Sequence, residues 1–154
     1  MVVKVQTDDF DVAQVLADLR NNKPQVGAIV SFVGLVRDIN DGADVSTLTL
    51  EHYPEMTEKA LQSIVDEAKQ RWDVMDAVVI HRVGTLLPTD QIVMVAISSA
   101  HRQAAFSACE FIMDYLKTGA PFWKKENTPE GSRWVDARES DEIALARWNN
   151  SHTL

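Results

Sequence analysis

The chain predicts an α+β fold: a mixed or antiparallel sheet with helices packed on it, and a small β-hairpin late in the sequence. Three observations carry this. Runs with strand period and runs with helix period are interspersed without strict β-α alternation. A length of 154 residues fits one domain spanning the whole chain. The 45% hydrophobic content supports a packed core, while 5 Pro and 6 Gly are too few for a linker-rich chain.

The elements follow in order. Val2 to Val5 reads as a short strand. Asp11 caps a helix whose apolar residues Val12, Val15, Leu16 and Leu19 recur at helical spacing until Asn21-Asn22-Lys23-Pro24 stops it. Val26 to Val36 is β-branched and strand-like, the turn-rich stretch from Arg37 to Asp44 predicts a mobile polar loop, and Val45 to His52 returns as a strand. Tyr53-Pro54 breaks that strand, and Ala60, Leu61, Ile64, Val65, Ala68 and Trp72 mark a second amphipathic helix. Val74 to Ile80 and Gln91 to Ser98 are further strands around the turn at Leu87-Pro88-Thr89-Asp90. A third, central helix is expected from near Ser99, ended by Gly119 and Pro121. Phe122 to Glu126 and Arg133 to Val135 then flank a turn in a hairpin, and Glu142 to Trp148 suggests a last short helix.

Charge narrows the function. With 15 Lys+Arg against 23 Asp+Glu, the net charge of −8 opposes general binding to nucleic acid or anionic membrane. Any anion site must be local. Residues 101–138 hold six Lys+Arg against five Asp+Glu, whereas the rest of the chain holds nine against eighteen. The cations of an acidic protein are thus gathered in one quarter of its length, together with His101, which suggests a focused site for a small anion; surface scatter is the plain alternative. The single cysteine, Cys109, excludes an internal disulfide framework and a CxxC motif, and it reads as a packed thiol in a helix. The N-terminus turns acidic where a signal peptide needs an apolar stretch, so a cytoplasmic protein is expected.

Candidate site residues sit within this frame. His101 and Arg102 fall at the start of the third helix, where its partial positive charge ordinarily attracts acids; two bases make sense there if they and the free N–H groups receive a phosphate or carboxylate. Arg102 paired with a nearby acid is the alternative. Lys117 falls in the last helical turn, and Lys124 shares a strand face with Phe122 and Glu126, so the two amines can converge beside an aromatic wall and one can exchange a proton. Arg37 ends a strand where a side chain can reach over a pocket, although a solvated arginine fits as well. His52 and His81 read as structural, since no HExxH or His/Cys cluster is present. No phosphate-binding P-loop, GxGxxG or GxSxG motif occurs.

Several segments resemble one family: Leu50-Glu51-His52-Tyr53-Pro54, Met56-Thr57, Ile80-His81-Arg82-Val83-Gly84, Ser99-Ala100-His101-Arg102 and, most specifically, Tyr115-Leu116-Lys117-Thr118 with Ala120-Pro121-Phe122-Trp123-Lys124-Lys125-Glu126. Pro129-Glu130-Gly131 and Arg133-Trp134-Val135 continue the likeness, which covers roughly residues 26–148. The pattern is similar to the catalytic, large subunit of molybdopterin synthase. The resemblance implies a hammerhead-like α/β core with a hairpin subdomain at about 121–136. It also implies an enzyme, a sulfurtransferase of molybdenum-cofactor biosynthesis that converts cyclic pyranopterin monophosphate to molybdopterin.

In that family the sulfur comes from the C-terminal Gly-Gly thiocarboxylate of a small ubiquitin-like subunit, and a homodimer of large subunits forms the centre of a heterotetramer. Carried onto this chain, the site falls on Leu35, Val36, Arg37, His101, Arg102, Lys117, Lys124, Lys125, Glu126 and Arg138. Arg37, His101 and Arg102 would hold the phosphate, Lys117 would sit beside the thiocarboxylate, Lys124 would stabilise charge as the cyclic phosphate opens, and Arg138 would reach substrate, across the dimer or within one chain. Phe32, Met113 and Phe122 are candidates to wall the pterin. No cofactor and no metal is implied. The competing class is a non-enzymatic α+β module that binds a phosphorylated metabolite.

Overall fold

The computed structural model describes residues 2–40, 43–44, 46–135, 139–146 and 148–149. Its elements are β1 (Val2–Gln6), α1 (Val12–Arg20), β2 (Ala28–Leu35), β3 (Ile39–Asn40), β4 (Ala43–Asp44), β5 (Thr47–His52), α2 (Met56–Arg71), β6 (Asp76–Arg82), β7 (Gly84–Leu86), β8 (Gln91–Ser99), α3 (Arg102–Thr118), β9 (Phe122–Thr128), β10 (Gly131–Val135) and α4 (Glu139–Ala146). The α+β class holds. Asp11 caps α1 as expected, its side chain accepting from the Gln14 N–H at 3.1 Å.

The principal sheet has the order β1-β6-β8-β2, with β1 parallel to β6 and the other pairs antiparallel. Both of its faces are covered, and strand alternation assigns each residue to one face. On β6, Ala77 and Val79 pack with Val93, Val95 and Ile97 of β8 against α2 and α3. Val78 and Ile80, with Met94 and Ala96, pack against Leu19 of α1. By the same alternation His81 stands on the α3 face.

The late hairpin, β9 and β10, forms half of a second sheet. That sheet has the order β10-β9-β5-β7, all antiparallel. Its strands run further into the turn than expected, leaving Pro129 and Glu130 between Thr128 and Gly131, whose φ of 124° needs glycine. A third cluster of Val36, Leu48, Leu50, Val83 and Leu86 lies where the two sheets meet, and Phe122 and Ile92 touch both this cluster and the α2/α3 core. The α3–β9 connection is tied down from α2: the buried Thr57 hydroxyl donates to the Pro121 carbonyl at 3.2 Å and accepts from the Tyr53 N–H.

Three expectations are corrected. The polar loop after Arg37 contains the short paired strands β3 and β4. The three-residue β7 has no counterpart in the sequence reading. Ser99 remains in β8, paired with Ala28, so α3 opens only at Arg102 with His101 as its N-cap residue. No helix among the described residues is long and apolar enough to cross a membrane.

Candidate functional site at the junction of the two sheets

Strand β6 ends at Arg82, and its penultimate residue, His81, is buried. The imidazole lies flat on Phe122, with ring centroids 3.8 Å apart and planes at 17°. Its Nδ1 is 2.8 Å from the Arg82 carbonyl oxygen, an acceptor, so Nδ1 carries the proton and the lone pair of the neutral ring is on Nε2. Burial pushes the imidazole pKa down to about 3, and the charges of Lys124, Lys117 and His52 push in the same direction, against the Arg82 hydrogen bond. The two lysines singled out by sequence come from different elements, α3 and β9.

The second sheet sets how Lys124 is presented. Phe122, Lys124 and Glu126 alternate along one face of β9, and their partners on β5 are His52, Leu50 and Leu48. Leu50 is 1% exposed, so the half-buried Lys124 stem lies beside an apolar wall. Glu126 is buried and accepts from Arg133 Nε at 3.0 Å, across the β9–β10 pair. Lys125 points to the opposite face, where its Nζ lies 5.9 Å from the Trp134 ring centroid. Lys117 is exposed in the last turn of α3.

Arg37 belongs to the same end of the fold. Leu35 pairs with Gln91, and the backbone of Val36 exchanges hydrogen bonds with the β7–β8 turn, through Asp90 and Thr89, so Arg37 leaves the sheet where β8 begins. Because α3 runs back along β8, its C-terminal Lys117 is at this end too. Leu35 is exposed, whereas the Val36 side chain is committed to the core. Of the proposed pterin walls, Met113 is buried in α3, Phe32 is exposed on β2, and Phe122 carries the His81 stack.

His101 and Arg102 are elsewhere. Lys117 follows Arg102 by fifteen residues of continuous helix, which at about 1.5 Å per residue separates their backbones by about 22 Å. Both are exposed at the end of the principal sheet where β8 finishes. A single cavity within one chain therefore does not hold all the selected cations. Arg138 lies outside the described residues. Cys109 is buried in α3, and burial pushes its thiol pKa up to about 12, as a packing thiol requires.

His81 is the residue that sequence reasoning set aside. Its only signal was position: it continues the Ala77, Val79 face of β6 beyond the apolar run.

An acidic α+β domain that brings Arg37, Lys117 and Lys124 to one end, where two sheets meet, defines the class, a domain with a local cationic site. Comparison with known proteins narrows this. The family model described as MoaE protein matches residues 5–119. A Ralstonia nicotianae protein named molybdopterin synthase catalytic subunit is 66% identical over 146 residues, covering 95% of this chain and 83% of the relative. The solved structure titled molybdopterin biosynthesis MoaE protein, from Burkholderia ambifaria, superposes with a TM-score of 0.82 at 57% identity, covering 96% of this chain and 97% of that one. A structure titled as the protein–protein complex of subunits 1 and 2 of molybdopterin-converting factor, from Helicobacter pylori, shares the fold with a TM-score of 0.71 at 20% identity, covering 89% of this chain and 90% of that one. The chain belongs to the MoaE family of molybdopterin synthase catalytic subunits, enzymes of molybdenum-cofactor biosynthesis.

Proposed function

We propose that the chain is a sulfurtransferase that converts cyclic pyranopterin monophosphate to molybdopterin, drawing both dithiolene sulfurs from the C-terminal thiocarboxylate of a small ubiquitin-like subunit. The observation that carries the proposal is the placement of Arg37, of Lys117 in the last turn of α3 and of Lys124 on β9 at one end of the fold, where the second sheet meets the first. Two amines at one end of the fold, one beside an apolar wall and one at the rim, suit a reaction in which a negative thiocarboxylate meets a negative phosphate ester. Lys117, exposed at the rim, meets the incoming tail and assists sulfur attack on the pterin side chain. Lys124, held beside Leu50, stabilises charge as the cyclic phosphate opens, by a donor already in place before reaction. Arg37 at the same rim steers the phosphate.

His101 and Arg102 enter from a second copy. Their separation from Lys117 along α3 prevents both groups from gripping one small substrate in a single chain; in this reading the α3 start of one copy meets the lysine end of the other across a two-fold dimer. Arg138 has the same role, a further fork-shaped donor to the substrate. The working assembly is a central homodimer with one small subunit at each end, in the cytoplasm.

The test is turnover with thiocarboxylated small subunit and cyclic pyranopterin monophosphate, comparing wild type with Lys117→Ala and Lys124→Ala. Product from wild type and loss in both variants is the expected result. Unchanged product in both variants rejects the roles assigned to the lysines, and tight substrate binding by wild type without product favours a binding module.

A further inference from the structure

A buried hydroxyl joins two stretches of chain beside the lysine end of the fold. Thr57, in the first turn of α2, is fully buried and closes the β5–α2 turn twice over. Its N–H donates to the Tyr53 carbonyl at 2.9 Å, and the Tyr53 N–H donates back to the Thr57 hydroxyl oxygen at 3.1 Å. Within this turn Glu55 sits at φ 69°, a conformation that residues with a side chain rarely adopt, and it lends α2 no side-chain cap. The hydroxyl proton is left to be donated. It goes to the Pro121 carbonyl at 3.2 Å, a residue 64 positions along the chain.

Pro121 lies in the connector between α3 and β9, after Lys117 and before Lys124. The helix side of this connector is finished by the Gly119 and Ala120 N–H groups, which both donate to the Tyr115 carbonyl, at 2.7 and 3.3 Å. Its strand side begins with Phe122 paired to His52 of β5. Tyr53 adds a second hold, its ring meeting Trp123 edge-on with centroids 4.9 Å apart. One short turn therefore grips the chain at Pro121 and at Trp123, immediately before Lys124.

We propose that Thr57 is a positioning residue for the two lysines: its hydroxyl, locked by the Tyr53 N–H, holds the Pro121 carbonyl and fixes the course of the chain from Lys117 to Lys124. It acts on the substrate only through this connector, and its catalytic consequence rests on the sulfur-transfer reading above. The hold uses both the proton and a lone pair of the hydroxyl. Valine has nearly the same shape and keeps the packing, but removes this partner from the Tyr53 N–H and the Pro121 carbonyl. Serine keeps the hydroxyl and loses only a methyl.

Amide hydrogen exchange and turnover of the assembled two-subunit enzyme test this. In Thr57→Val, exchange over residues 119–124 is expected to speed up at least about ten-fold while the interior of β8 stays unchanged. In the same variant kcat is expected to fall at least about ten-fold with KM within about two-fold. Thr57→Ser is expected to keep both readouts within about two-fold of wild type, even where loss of the buried methyl lowers Tm. Wild-type kcat or wild-type exchange in Thr57→Val overturns the proposal. A fall in Thr57→Ser as large as that in Thr57→Val overturns it too, by reducing Thr57 to packing. Should Thr57→Val not fold, Thr57→Ser decides alone: native exchange and turnover uphold the hydroxyl, and loss of either overturns it. A wild-type enzyme that makes no product overturns the sulfur-transfer reading alone, because exchange in the two variants still decides whether the Thr57 hydroxyl holds the connector.

Discussion

Removing the titration of His81 changes how stability responds to acid, and the size of the change follows from its surroundings. The folded imidazole binds a proton only below about pH 3, because burial and the nearby cations oppose the charged form. In the unfolded chain the same ring titrates near 6.5. Between these values the unfolded state holds more protons, so stability rises with pH and is lost as pH falls from about 6.5 toward 3. At about 1.36 kcal/mol per unit, acidification from pH 7 to 5 removes about 2 kcal/mol through this one group. For a chain of this size that is a Tm decrease of about 4–8 °C. Thermal unfolding of wild type and His81→Phe at both pH values isolates the contribution, since the remaining groups titrate in both proteins. Wild type should lose about 2 kcal/mol more than the variant over this interval. Equal losses in the two proteins would refute the buried neutral imidazole.

Other perturbations have equally definite outcomes. Lys124→Ala should lower kcat by about 10²–10³-fold, as removal of a preorganised charge-stabilising donor does, with near-native Tm; a full loss of helical circular dichroism would instead mark a folding defect. Arg133→Ala leaves the buried Glu126 without its 3.0 Å partner and should cost about 1–3 kcal/mol in urea denaturation, more than Lys125→Ala, whose ammonium sits over the exposed Trp134. Gly27→Ala drives a Cβ into the Ala100 carbonyl oxygen, between the start of β2 and the approach to α3, and should lower stability by about 1–3 kcal/mol as read by thermal melting. Cys109 should resist a disulfide reagent in the folded protein and react only on unfolding, as followed by absorbance of the released thiol.

Local chemistry made much of the fold readable. Asp11 announced α1 through its cap, Gly119 and Pro121 ended α3, and alternation on β9 placed Phe122, Lys124 and Glu126 on one face. Long-range pairing was not readable in the same way. Nothing local in Val2–Gln6 says that it lies parallel to β6, and Gly84–Leu86 is too short to carry a pattern. Ser99 looks like a helix-start residue, yet its pairing with Ala28 of β2 holds it in β8.

The site divides similarly. The concentration of amines in residues 101–138 pointed to Lys117 and Lys124, which the fold brings to one end, whereas helix length places His101 and Arg102 at the far end of α3. The resemblance placed Lys125 in the site with Lys124, and strand geometry turns its side chain to the other face. A lone histidine ending an apolar run reads as core until α3 and β9 are folded over it. The setting of His81 is therefore a tertiary property, visible only when Phe122 stacks on the ring.

The central claim, that a small anionic substrate is held by the lysine end of one copy and the α3 start of another, is tested most directly by subunit complementation. Lys117→Ala and Arg102→Ala chains are each expected to be inactive alone with the small subunit. After unfolding and refolding together in equal amounts, half of the dimers carry one intact site, and activity should return to about a quarter of wild type. No recovery in verified mixed dimers, with both parents inactive and the wild type active, would contradict a site shared between copies.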